Sequence, residues 1–142
     1  MKILMLTPYL PYPDSSGGQI RTQNLLKHLR LEHELTLFSL IKSREEKKYI
    51  PILERNFCKK VKVFERPPRP WMLRNILRTG FSLNPFLIVR NFSQKAKQAI
   101  AEELRTNHYD LIHAETFYAM PHIPPTNLPV VLVDQTIEYQ VY

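Results

Sequence analysis

Residues 1–40 read MKILMLTPYLPYPDSSGGQIRTQNLLKHLRLEHELTLFSL, and their reading decides the fold. The run KILMLT, residues 2–7, is almost continuously apolar and closes on Thr7-Pro8, which suits a strand buried on both faces. A turn-rich loop, PYLPYPDSSGG, comes next. From Gln19 to Leu31 the apolar residues Ile20, Leu25, Leu26 and Leu29 recur at helical spacing. Glu34 to Leu40 (ELTLFSL) then has the β-branched and aromatic content of a second strand. Strand, glycine-bearing loop, helix and strand in that order predict parallel pairing through a right-handed crossover.

Outward from this unit the alternation continues. Ser43 to Phe57 reads as a polar helix that Pro51 interrupts or restarts. Lys60 to Phe64 (KVKVF) is a short alternating strand. Residues 65–92 give no clean pattern: RPPRP is stiff and extended, and Trp71 to Leu77 allows a helical turn or two. Ser93 to Asn107 predicts a helix with Ala96, Ala99, Ile100 and Leu104 on its apolar face. Tyr109 to Ala114 (YDLIHA) and Pro129 to Asp134 (PVVLVD) are two further strands, with room for a short helical stretch between them. Five strands alternating with helices predict an α/β, Rossmann-like, doubly wound and mostly parallel sheet.

A chain of 142 residues fits one domain, and 44% hydrophobic with 23% charged residues is the composition of a folded globular protein. Cys58 is the single cysteine, so no intramolecular disulfide forms, and no His or Asp pattern surrounds it; it reads as a small buried hydrophobe. No apolar run approaches the ~18 residues of a membrane span, and Pro8, Pro11 and Pro13 follow the opening run where a signal peptide would have small residues. A cytoplasmic location is expected. His28, His33, His108 and His122 lack metal-ligand spacing, so neither a metal nor another cofactor is expected. The last strand closes at Asp134 with QTIEYQVY after it, too short for the helix that should cover the sheet. Residues 1–142 therefore read as an incomplete domain.

The net charge of +7 is unevenly spread. Residues 59–97 carry ten basic residues (Lys59, Lys60, Lys62, Arg66, Arg69, Arg74, Arg78, Arg90, Lys95 and Lys97) against one acid, Glu65. Residues 98–142 carry Arg105 against six acids. Such a field suits an anionic partner, whether phospholipid headgroups, a phosphorylated ligand or nucleic acid, or else simply a solvated surface. Arg66, Arg69, Arg74 and Arg78 are interleaved with Trp71 and several phenylalanines, a mixture suited to a segment lying peripherally on the inner face of a membrane. No nucleic-acid-binding motif accompanies it.

Chemistry concentrates at the strand ends. Gly17 and Gly18 allow close backbone approach, and the helix they introduce begins with unpaired amides, a combination suited to phosphate or a sugar hydroxyl. Neither G-x-G-x-x-G nor G-x-x-x-x-G-K-[ST] is present, which weakens dinucleotide and P-loop readings. A tight strand-to-helix turn would also account for the glycines. His113 ends a strand, where it faces a ligand or bonds to backbone; Glu115 is the better group to orient a hydroxyl.

The opening forty residues resemble those of family 4 glycosyltransferases of the GT-B fold: apolar strand, proline-bearing loop, Gly17-Gly18, Arg21 shortly after, then His33-Glu34-Leu35-Thr36-Leu37. YDLIHAE is similar to that family's "fDvIHae" strand and VLVDQTIEY to its "vl..HN.E" stretch. The resemblance implies an N-terminal, acceptor-side domain, with a nucleotide-sugar donor held by a second domain not in this chain. It also implies retaining hexosyl transfer to a glycan or lipid-linked acceptor of cell-envelope polysaccharide type, and no activity for this part alone. By the same resemblance Gly17, Gly18, Arg21, Gln135 and Glu138 would approach donor phosphates or substrate, and Glu115 and His113 would be catalytic. Two positions depart from the pattern: Glu115 stands where many members have histidine, and Gln135 replaces the histidine of "HN.E". The alternative, from the residues alone, is a Rossmann-like binding module for a phosphorylated ligand or nucleic acid.

Overall fold

The structure is a computed structural model, and it describes residues 1–66, 88 and 91–134. Five strands form one sheet: β1 (Lys2–Thr7), β2 (Glu34–Ile41), β3 (Lys60–Glu65), β4 (Leu111–Glu115) and β5 (Val130–Val133). Their spatial order is β3-β2-β1-β4-β5, and every neighbouring pair is parallel. The chain builds outward from β1 through β2 to β3, then returns to place β4 on the other side of β1. Among the described residues the strands are accompanied by α1 (Gly17–Leu29), α2 (Ile50–Asn56) and α3 (Gln94–Thr106). The Rossmann-like α/β arrangement read from the sequence as mostly parallel is the fold, with all four pairings parallel.

Parallel register fixes which residues share a face. Ile3 and Met5 of β1 align with Leu35 and Leu37 of β2, and together with Val61 they meet Leu26 of α1 and Leu53 of α2. The alternate residues, Leu4, Leu6, Phe38, Ile112 and Ala114, meet Ile100 of α3 and Tyr109. Leu4, Met5, Leu37 and Ile112 are fully buried, each contributing about 1.5–3 kcal/mol. Burial on both faces is why β1 and β2 lack polar alternation.

The boundaries differ from expectation for local reasons. α1 begins at Gly17 rather than Gln19, because the Ser16 hydroxyl caps it by accepting from the Gln19 amide. Ile20 is exposed, while Leu25 and Leu29 pack on the α1-side core around the fully buried Leu26. The expected helix over 43–57 divides in two: a Ser43/Glu46 capping box starts a 3-10 turn, Arg44–Tyr49, and Pro51 then sits in the first turn of α2. β4 starts at Leu111, after the Tyr109 hydroxyl has donated to Glu103 and the Asp110 carboxylate has accepted from the Lys2 amide. The short helical stretch before β5 is a 3-10 turn, Phe117–His122.

Three of the seven basic residues over 59–78 form ion pairs within the fold. Lys59 pairs with Glu34 at 2.8 Å, and Lys60 and Lys62 converge on the buried Glu103 at 2.7 and 3.1 Å. Burial pushes the Glu103 carboxyl up, but the hydrogen bonds from Lys60, Lys62 and Tyr109 outweigh it and hold the group below the usual carboxylate range. Arg69, Trp71, Arg74 and Arg78 lie outside the described residues, as does the helical turn expected over 71–77.

His122 gives this architecture a pH response. It stacks on Phe92, its Nε2 accepts from the Ser93 amide at 2.9 Å, and its Nδ1 then donates to the Ala119 carbonyl. Burial lowers its pKa. The folded ring is neutral where the unfolded one binds a proton, so its contribution to stability is complete above the ordinary histidine value and is lost as pH falls through the folded value. Chemical unfolding between pH 7.5 and 5 is expected to show a slope of up to ~1.4 kcal/mol per pH unit from this group. His122→Asn should flatten that slope even if overall stability drops; an unchanged slope would exclude His122 as its source.

Candidate functional site

Strand order places the topological switch point between β1 and β4, where an open α/β sheet leaves a crevice at its carboxyl edge. Leu6 aligns with Ala114, so Thr7 and Glu115 close their strands side by side. His113 and Glu115 are two apart on β4 and share the face toward α1, where Met5 aligns with His113. Arg21 reaches this edge from the second turn of α1.

The three side chains form one array. Arg21 Nη1 donates to both oxygens of Glu115, at 3.0 and 2.8 Å, and His113 Nε2 lies 2.8 Å from Glu115 Oε1. Glu115 has no exposed side-chain surface, whereas the Arg21 side chain keeps 44% of its own. A buried carboxylate requires such partners, because an ion stripped of water without them is strongly disfavoured. The guanidinium is thereby fixed in position, and among the described residues its Nε and Nη2 make no hydrogen bond. His113 bonds to the Glu115 carboxylate, where the sequence suggested backbone or ligand.

Three threonines that sequence reading passed over lie next to this edge in the chain. The hydroxyls of Thr7, Thr22 and Thr116 are buried and, among the described residues, have no hydrogen-bond partner. Thr7 ends β1, Thr22 follows Arg21 and Thr116 follows Glu115, so all three belong to elements meeting at the switch point. Nothing in the sequence marks them, since a lone threonine is ordinary in strands, helices and turns alike. Thr116 also has φ 77° and ψ 152°, a region almost confined to glycine. Its amide donates to Val133 O at 2.7 Å and its carbonyl accepts from the Ala119 amide at 3.1 Å, so β5 and the 3-10 turn hold it there.

Gly17 stands in the first turn of α1, with Ser16 as its cap. It has no positive φ, and a Cβ built on it would meet nothing within 4 Å. Neither conformation nor packing requires glycine there, although glycine weakens a helix. Gly18 belongs to the same turn. Gln135 and Glu138 lie outside the described residues, so the structure does not say whether they join the site. Among the described residues no cluster of histidine, cysteine or carboxylate side chains could hold a metal, and burial pushes the Cys58 thiol up to about 12, so it is not a nucleophile at neutral pH. No helix among the described residues is long and apolar enough to cross a membrane.

Fold and edge together define a Rossmann-like α/β domain with a buried polar array at the switch point. No family model matches the sequence, and no curated protein matches it. A solved structure, the C-terminal domain of a hydrogenase from Pyrococcus furiosus, is similar at 14% identity and a TM-score of 0.57, over 92% of this chain and 89% of that one. This likeness corrects the expectation of a family 4 glycosyltransferase, its GT-B assignment and its hexosyl-transfer activity: the structural match is to a domain of another kind. At that identity the likeness shows the fold alone. The physical reason for the misreading is that the motifs quoted for the resemblance spell a buried strand, a glycine turn and a helix, which any doubly wound domain needs.

Proposed function

We propose that the chain is a ligand-binding module that holds a phosphorylated small molecule at the carboxyl edge between β1 and β4. The observation that carries this reading is the Arg21–Glu115–His113 array: a guanidinium oriented by a buried carboxylate, with Nε and Nη2 left for an anion. The capped start of α1 adds amides that favour negative charge, and Gly17 leaves room for close approach. The hydroxyls of Thr7, Thr22 and Thr116 add hydrogen-bonding capacity for the rest of such a ligand. No nucleic-acid-binding role is supported by the site. Attachment to an anionic membrane surface is a further proposal, supported by the excess of basic residues over 59–97.

Gly17→Val tests the reading without disturbing the protein, since the added side chain starts in open space. Titration calorimetry with inorganic phosphate, a sugar phosphate and a nucleoside diphosphate is expected to find at least one binder. The variant should lose more than ~10-fold in affinity, the loss of about one charge-assisted hydrogen bond, at unchanged thermal stability. Binding by none of the three, or equal binding by Gly17→Val, would remove the assignment.

A further inference from the structure

We infer that a second anion-binding pocket lies at the carboxyl end of β3, separate from the switch point, and takes a phosphate group. The pocket is an open cavity of about 980 Å³, counting the solvent at its mouth. Arg44, Lys47, Arg66 and Lys95 line it, against the single acid Glu65. Glu65 takes a hydrogen bond from Arg44 Nε at 2.8 Å, and Arg66 Nη1 donates to Asn91 Oδ1 at 3.3 Å. Lys47 and Lys95 are exposed, and among the described residues neither has an ion-pair partner. This distinguishes them from Lys59, Lys60 and Lys62, which pair with Glu34 and Glu103. Four cations, Arg44, Lys47, Arg66 and Lys95, thus share one concave surface.

Its other walls fit the same ligand. Val63 and Phe64 supply an apolar side, and Phe64 also lines a neighbouring apolar cleft of about 310 Å³ that runs over Leu6, Phe38, Ile100 and Ala119. Gln94 and Lys95 open α3 and line the cavity, and amides of a helix's first turn have no partner within the helix. A phosphate accepts from several donors at once and matches both the sign and the number of groups present. It could reach the pocket as a free phosphomonoester or as the headgroup of an anionic lipid, and the chemistry recognised is the same.

The test uses the Lys47→Glu/Lys95→Glu double variant. Lys95 lies in the first turn of α3, where an acid is favoured by the helix dipole, so the fold should be retained. Lys27→Glu/Arg55→Glu, which changes two exposed cations elsewhere, is the charge-matched control. Amide NMR titration with inorganic phosphate is expected to shift Gln94 and Lys95, with the shifts retained in the control and in Gly17→Val. Affinity in Lys47→Glu/Lys95→Glu should fall at least ~10-fold, as expected for loss of one or more charge-assisted contacts. Sedimentation with phosphatidic acid vesicles against phosphatidylcholine alone separates the sources: pelleting with the acidic vesicles that the double variant loses assigns the pocket to a headgroup. Phosphate binding without pelleting assigns it to a soluble ligand. Binding of neither, or an equal loss in the control, overturns the pocket. Loss of the Gln94 and Lys95 shifts in Gly17→Val would show that there is one site rather than two.

Discussion

Replacing Arg21 by methionine is expected to lower the unfolding free energy at pH 7 by about 3 kcal/mol, the lower end of the range for removing one partner of a buried ion pair. The lower end applies because the Arg21 side chain is 44% exposed and its attraction is partly screened by water. The loss comes from Glu115, which keeps a fully buried carboxylate after its cation has gone. Arg21→Met/Glu115→Leu should therefore recover most of the stability, since an apolar pair of similar volume avoids the desolvation of the ions. Denaturant unfolding of the two single variants and the double variant measures this coupling directly. Additive effects would mean that the array is not an energetic unit, and would weaken its candidacy as the ligand-orienting group. Both variants should lose the phosphorylated ligand, including the double variant that regains stability, because neither presents a guanidinium.

The second large effect is expected in the opposite direction. Thr116→Gly should raise stability by about 1–2 kcal/mol, because φ 77° costs a β-branched residue about 1–3 kcal/mol and glycine almost nothing, less the entropy glycine brings to the unfolded chain. Thr116→Val separates two contributions: it keeps the strained backbone and removes the unpartnered hydroxyl. If Thr116→Gly stabilises while ligand affinity falls, the strain serves to hold the strand end in its binding geometry. If it stabilises with affinity unchanged, Thr116 is not part of the site. A loss of stability would show that the side chain supports the β4–β5 edge in a way the backbone conformation does not reveal.

The fold was largely legible in the sequence. KILMLT, ELTLFSL and KVKVF lie on the observed strands within a residue at each end, because a run buried on both faces leaves few alternatives. The helix over 94–106 was equally plain, its Ala96 and Ile100 spaced for one face. The glycine-bearing loop correctly marked the carboxyl edge of β1. Family membership was another matter: strand, glycine turn and helix encode an architecture shared by proteins of many activities, so soft motifs in the right order carried fold information that was read as chemistry.

Pairing across the chain was decided only by the tertiary structure. Arg21 and Glu115 are 94 residues apart and meet because β4 returns to lie against β1. No local pattern records that return. The basic run over 59–78 is a matching case: on paper it is one continuous stripe, yet Lys59, Lys60 and Lys62 pair with Glu34 and Glu103 from elsewhere in the chain. Local sequence determines what each segment can bury and hence the layers of the sheet. Which charges remain for a partner depends on contacts between segments far apart, because ion pairing acts through space and hydrophobic periodicity acts along the chain.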